Sequence, residues 1–235
     1  MLRQRGECYL HFAMGVLMKT RYYLGWFNNF FSENLGKVLQ EDITERKSLA
    51  MISSNPSIYE ENGVTERSWL DQAGIIFDEY HLINYRVQKE DAQTIIQDAS
   101  VIFLLGGNTV KQKDFLMEYE LSDSIKESRA VVMGASAGAI NMSAKWLCSK
   151  NLGYKVEKSY VYNGIGLDDF SVLSHFDLEN NMALVQGELS HLSEVINIYA
   201  SNKDCAVRIK GDKIDILGNV YLISQSKIQK MDETL

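Results

Sequence analysis

The chain is poor in cysteine and has almost no proline. Its 235 residues include three cysteines, Cys8, Cys148 and Cys205, and one proline, Pro56. An odd number at wide spacings makes neither a disulfide framework nor a metal-ligand pair. Each cysteine reads as a small apolar side chain in a reducing, cytoplasmic setting. Long apolar runs are missing too, since none reaches the roughly 18 residues that span a bilayer. Positive charge is short: 24 Lys and Arg face 31 Asp and Glu, for a net charge of −7. Without a basic stripe, neither nucleic acid nor an anionic membrane is expected as a partner. There is no repeat, no low-complexity tract and no linker. One segment imitates a signal peptide, with Arg3 and Arg5 ahead of an apolar stretch at 9–17. It contains His11, however, and no A-x-A-like site follows it.

What is present is an alternation of strand-like and helix-like runs. Strands are expected at 21–27, 48–53, 75–83, 101–105 and 130–133. Helices are expected at 60–73, 89–99, 109–126 and 137–147. The run Val101 to Leu105 (V-I-F-L-L) is continuously apolar, as in a strand buried on both faces. The alternation predicts an α/β protein with a mainly parallel sheet and helices on both faces. Sites in such sheets form outside the carboxyl ends of the strands. The last third reads as strands at 155–162 and 170–173, a helix over 179–200, and short strands at 205–209, 213–217 and 220–224 with glycine turns. At 46% apolar and 23% charged residues, one globular domain accounts for the chain.

Two segments at the expected sheet edge carry chemistry. Gly134-Ala135-Ser136-Ala137-Gly138 fits G-x-S-x-G, a sharp strand-to-helix turn that exposes a serine in a strained position. An apolar strand precedes it and a helix-competent run follows. The Ala137 N–H would then point at a developing oxyanion. Gly106-Gly107-Asn108-Thr109 ends the neighbouring buried strand, and Gly107 N–H is the candidate second donor. A phosphate-binding loop is the rival reading, although neither G-x-x-x-x-G-K-[ST] nor G-x-G-x-x-G is present. Of four histidines, His11 lies in the N-terminal stretch, His81 in a strand and His191 within a helix. His175 ends an extended run downstream of the serine and is the candidate base, with a structural histidine as its alternative.

Three ordered elements together resemble the dipeptidase E and cyanophycinase family of serine peptidases. They are the V-I-F-L-L-G-G-N-T strand and loop, the G-A-S-A-G-A turn, and Gly164-Ile165-Gly166-Leu167 leading through Phe170 to Ser174-His175-Phe176. The match runs from about Arg21 to Ser224. It implies a class I glutamine amidotransferase-like (flavodoxin-like, three-layer) fold in which serine replaces the usual cysteine. It also implies hydrolysis of peptide bonds next to aspartate, with Ser136 as nucleophile, His175 as base and backbone donors at Gly107 and Ala137. No metal or organic cofactor is implied, and the partner is a small peptide.

The chain departs from that pattern twice. The third triad member of the family is an acid in a loop before a late strand, and that loop here is Ser201-Asn202-Lys203-Asp204. A register counted from Gly211 puts Asn202 at the acid's position, and Asp204 lies two residues on. Asp204 is taken as the orienting group, with Asn202 as the alternative. Secondly, the first strand begins near Lys19, so residues 1–17 read as an extension ahead of a single domain over 18–235. The expected function is a serine-type peptidase acting on small peptides, with aspartyl dipeptides as the substrates that the resemblance implies. The alternative is a catalytically weak homologue that binds a ligand or partner in the same cleft. A conventional α/β-hydrolase is disfavoured, because the interval from Ser136 to His175 is too short for its Ser-acid-His order.

Overall fold

A computed structural model describes residues 19–58 and 63–235. The segment 1–17, with Cys8 and His11, lies outside the described residues, as does the start of the helix expected from Glu60. Five parallel strands form the centre of the main sheet: β1 (Thr20–Leu24), β2 (Ser48–Ile52), β3 (Glu79–Ile83), β4 (Val101–Leu104) and β5 (Val131–Ala135). Two late strands, β10 (Ala206–Lys210) and β11 (Lys213–Leu217), extend it antiparallel past β1, giving the order β11-β10-β1-β5-β4-β2-β3.

Side-chain alternation explains why both faces are covered. Successive residues of a strand point to opposite faces. Tyr22, Leu24, Leu49, Met51, Val101 and Phe103 fall in one buried cluster with Leu35, Leu39, Trp69 and Leu70. Those four come from α1 (Glu33–Asp42) and α2 (Val64–Gln72). Tyr23, Ala50, Ile52, Ile102 and Leu104 fall in the opposite cluster with Ile96, Phe115, Ile125 and Ile140. Those come from α3 (Lys89–Asp98), α4 (Thr109–Glu118), α5 (Leu121–Glu127) and α6 (Ala137–Met142). The three-layer α/β fold is therefore as expected.

A smaller four-stranded sheet, β13-β12-β9-β8, packs beside the first. It contains β8 (Phe170–Leu173), β9 (Asn197–Ser201), β12 (Val220–Ser224) and β13 (Lys227–Lys230). A hairpin pairs β6 (Lys145–Cys148) with β7 (Tyr160–Asn163).

Three expected helices end early. The run 109–126 is two helices, broken where Glu120 adopts φ 53°. The helix from Ala137 stops at Met142, and Trp146 is instead buried in β6 against Tyr154 and Tyr162. The run 179–200 holds α7 (Leu178–Leu184), a π-helical turn at Val185–Leu189, and α8 (Ser190–Ser193). The non-helical Gly187 lies inside that turn (φ −103°, ψ −105°). The β-prone Ile198-Tyr199 then becomes part of β9, between β8 and β12. No described helix is long and apolar enough to cross a membrane.

The antiparallel extension carries a buried charge cluster. Arg208 on β10 holds Asp42 through Nε (2.7 Å) and Nη2 (2.8 Å), and Asp215 through Nη1 (2.5 Å). Lys210 and Lys213 join it at 2.8 and 2.7 Å, and Tyr22 Oη donates to Asp42 at 2.5 Å. Both aspartates are almost wholly buried (side-chain exposure 1% and 0%). Burial alone would raise their carboxyls, but the hydrogen bonds and cationic charge around them outweigh it and hold both below the ordinary 3.8. A depressed carboxyl stabilises the fold above its unfolded value and loses that contribution as pH falls through the lower folded value. Arg208→Leu should therefore cost about 3 kcal/mol at neutral pH. It should also flatten the fall in melting temperature between pH 5 and pH 2, read by thermal denaturation across that range.

Candidate active site

Close packing forces the turn after β5. Gly138, in the first turn of α6, lies so near β4 that a Cβ there would run into the Leu104 carbonyl. A Cβ at Gly134 would sit 2.5 Å from the Gly138 carbonyl carbon. The helix can press onto the strands only because both positions are glycine. The chain therefore turns at one residue, and Ser136 takes φ 46°, ψ −103°. That conformation is costly for a side-chain-bearing residue and persists only where the surroundings dictate it. Ser136 N–H donates to the Leu24 carbonyl at 3.0 Å, tying the turn to the end of β1.

His175 arrives from the other sheet, directly after β8, and also has positive φ (59°). Its Nε2 lies 2.9 Å from Ser136 Oγ. Ser174 Oγ reaches the Ser136 carbonyl at 3.4 Å, so two successive residues of this loop meet the serine turn. Phe176 N–H donates to the Ser201 carbonyl (2.9 Å), which docks the histidine loop on the end of β9. Burial lowers the His175 pKa below the ordinary 6.5, and the nearby Lys203 charge lowers it further. The imidazole is therefore neutral and able to accept a proton at neutral pH.

Gly107 lies on the same cleft as Ser136 and His175. The cleft holds about 870 Å³, ample for a small peptide. Ala137 is the first residue of α6, so its N–H has no acceptor within the helix. Four of the sequence-derived residues thus converge: Ser136, His175, Gly107 and Ala137. The loop proposed to carry the acid adjoins the site, yet neither of its candidates bonds to His175 among the described contacts. Asp204 is exposed at φ 51°, with its N–H donated to the Trp26 carbonyl. The Asn202 carbonyl accepts from Cys205 Sγ at 3.4 Å. The charge that does reach His175 from this loop is Lys203. His81 pairs with Glu79 at 3.3 Å, and His191 lies in α8, both apart from the cleft.

A buried polar frame, absent from the sequence reading, supports the Gly106-Gly107 loop. Gln112 Nε2 donates to the carbonyls of Ile52 (3.1 Å) and Leu105 (3.0 Å). Asn141 Nδ2 donates to Gln112 Oε1 and to the Thr109 carbonyl, each at 3.0 Å. Asn108 caps α4 by accepting from Lys111 N–H. Glu66 in α2 accepts the Gly106 N–H at 2.9 Å. Its spacing to Trp69 and Leu70, at i+3 and i+4, was the available sign that it lies on the buried face.

The profile of Peptidase family S51 matches residues 38–217. A cyanophycinase from Geminocystis herdmanii is 26% identical over 171 residues, covering 69% of this chain. The chain spans 59% of that relative's length. Among solved structures, a peptidase from an acI-B1 Actinobacterium superposes with a TM-score of 0.68 at 18% identity, covering 92% of this chain and 95% of that one. A Listeria monocytogenes EGD-e protein described as a peptidase E superposes at 0.61 with 17% identity, covering 85% and 98%. At these identities the two structures speak for the fold.

The electrostatics of His175 can be tested without a substrate. Lys203→Glu replaces a repelling cation by an attracting anion and should raise the His175 pKa, whereas Lys203→Met should raise it less. An NMR titration of the imidazole reads both. Equal values in all three proteins would show that burial alone sets the shift.

Proposed function

The chain belongs to peptidase family S51, and on that footing we propose that it hydrolyses peptide bonds with Ser136 as the nucleophile. The observation that carries this reading is the 2.9 Å approach of Ser136 Oγ to His175 Nε2 at the end of β5. With Nε2 unprotonated, Ser136 Oγ gives up its proton to His175 as it attacks the scissile carbonyl carbon. The tetrahedral oxyanion is received by the N–H groups of Gly107 and Ala137. His175 then delivers the proton to the leaving amine, and an acyl-serine remains. Water repeats the sequence: His175 takes its proton as the water oxygen bonds to the acyl carbon, and as the acyl–Oγ bond breaks the proton passes from His175 to Ser136 Oγ.

The proposed substrate is a small peptide bearing an aspartyl residue. Lys111 and Lys155 line the cleft and supply cationic groups for a carboxylate, and the resemblance to the dipeptidase E and cyanophycinase family implies the same preference.

A second reading is favoured by one observation: among the described residues, no carboxylate is hydrogen-bonded to His175. A protein without an effective third group would be a weak catalyst that holds its ligand in the same cleft. Labelling by a fluorophosphonate separates the two, since an activated serine is phosphonylated and a bystander is not.

Turnover on a dipeptide panel that includes Asp-X and β-Asp-X tests the assignment. Ser136→Ala should remove about 10⁴-fold or more of kcat while the fold persists. If Asp204 orients the histidine, Asp204→Asn should cut kcat by up to about 10⁴-fold with little change in KM. If Asn202 has that place, Asn202→Asp should raise kcat and Asp204→Asn should be mild. A Ser136→Ala protein retaining a sizeable share of wild-type kcat refutes the nucleophile.

A further inference from the structure

Two peptide planes meet at Gly106, and three of their four polar groups are tied down. In the plane between Leu105 and Gly106, the carbonyl accepts from Gln112 Nε2 and the N–H donates to Glu66 Oε1. In the plane between Gly106 and Gly107, the carbonyl accepts from Ser54 Oγ. The remaining group is the Gly107 N–H, which has no acceptor among the described residues. The peptide is trans, so this N–H points opposite to the carbonyl that Ser54 holds. Gly107 itself borders the cleft beside Ser136 and His175.

Neither flanking residue has a side chain to resist rotation. Gly107 sits at φ 128°, a region open to glycine, and a Cβ there would collide with Ser54 Oγ. Left alone, a Gly-Gly peptide can turn over and present its carbonyl to the cleft, where it would repel an oxyanion. Ser54 and Glu66 are both buried (2% and 4% exposed). They grip Gly106 from two different places, the bend after β2 and the first turn of α2.

We propose that Ser54 and Glu66 are positioning residues that lock the Gly106-Gly107 peptide with its N–H toward the reacting carbonyl oxygen. This rests on the serine-peptidase reading above. Glu66 fixes the plane before Gly106 and Ser54 the plane after it, so the Gly107 donor is set before substrate arrives. A donor that needs no reorganisation is worth most in the transition state and little in the ground state.

The test follows hydrolysis of aspartyl-p-nitroanilide, with fluorophosphonate labelling to count competent sites. Ser54→Ala should lower kcat per labelled site by about 100-fold, the typical loss of one oxyanion donor, with KM within about threefold. Glu66→Ala should fall in the same direction. Glu66→Gln keeps an acceptor for the Gly106 N–H and should recover most of the activity. The double alanine variant should be little worse than the weaker single one, because both act through one peptide. A purely structural role would lower the melting temperature and the number of labelled sites while leaving kcat per site unchanged, and that result overturns the proposal. So does a Glu66→Gln variant as impaired as Glu66→Ala. If Ser136→Ala is inactive while Ser54→Ala and Glu66→Ala keep wild-type kcat, the lock alone is refuted. If Ser136→Ala stays active, or the wild type neither labels nor turns over, the serine-peptidase reading fails and this inference with it.

Discussion

The close approach of α6 to the ends of β4 and β5 governs the site. A helix axis normally keeps its distance from a sheet because side chains stand between them. At Gly134 and Gly138 none do, and backbone meets backbone at the Leu104 carbonyl. The chain leaving β5 has no room for a gradual turn, so the bend falls on Ser136. Three consequences follow from this one contact. The serine side chain is pushed out at the sheet edge, Ala137 starts a helix with its N–H free, and the β4 end with Gly106-Gly107 lies against the same spot. Either glycine enlarged by one carbon would force the helix away and undo all three.

The second sheet solves a different problem. The parallel strands can bring β4 and β5 to one edge, but their connections supply no histidine there. His175 is delivered by β8 of the neighbouring sheet, and its loop is held by Phe176 N–H on the Ser201 carbonyl and by Ser174 on the serine turn. The two halves of the Ser-His pair thus belong to separate sheets. Their 2.9 Å contact depends on how α6 packs between β5 and β8. Positive φ at both Ser136 and His175 places the backbone cost where the side chains must meet.

Local signals made much of this readable in the sequence. Val101 to Leu104 was legible because a strand covered on both faces needs no alternation, and G-A-S-A-G because small residues cluster where backbones touch. The misread segments were those where tertiary packing overrides local preference. Ala137 to Leu147 has helical composition throughout, but Trp146 finds its burial among Tyr154 and Tyr162 in a hairpin. Asn197 to Ala200 reads as a helix end, yet it lies in a strand because β8 and β12 flank it. The polar frame of Ser54, Glu66, Gln112 and Asn141 was hidden for a related reason. Its members come from the bend after β2 and from three separate helices, and their meeting depends on the sheet order. Counting brings Asp204 and Asn202 to a loop that adjoins the site, but it gives no side-chain direction in a loop where φ changes sign.

The charge pattern around His175 bears on how the site would share its work. A histidine backed by a buried aspartate is raised in basicity, and its imidazolium is stabilised as the transition state forms. Here burial and Lys203 act in the opposite sense. They keep the ring neutral to lower pH, which widens the range in which a base is available. They also make that base weaker and its protonated form less stable. On the serine-peptidase reading, the stabilisation lost at the histidine has to come from groups that do not titrate. The backbone donors are such groups, since an N–H keeps its dipole at any pH. A site with a weakened base therefore depends more heavily on the orientation of the Gly107 and Ala137 donors. Ala137 is fixed by the start of a helix, whereas Gly107 follows another glycine and owes its orientation to the side chains around Gly106.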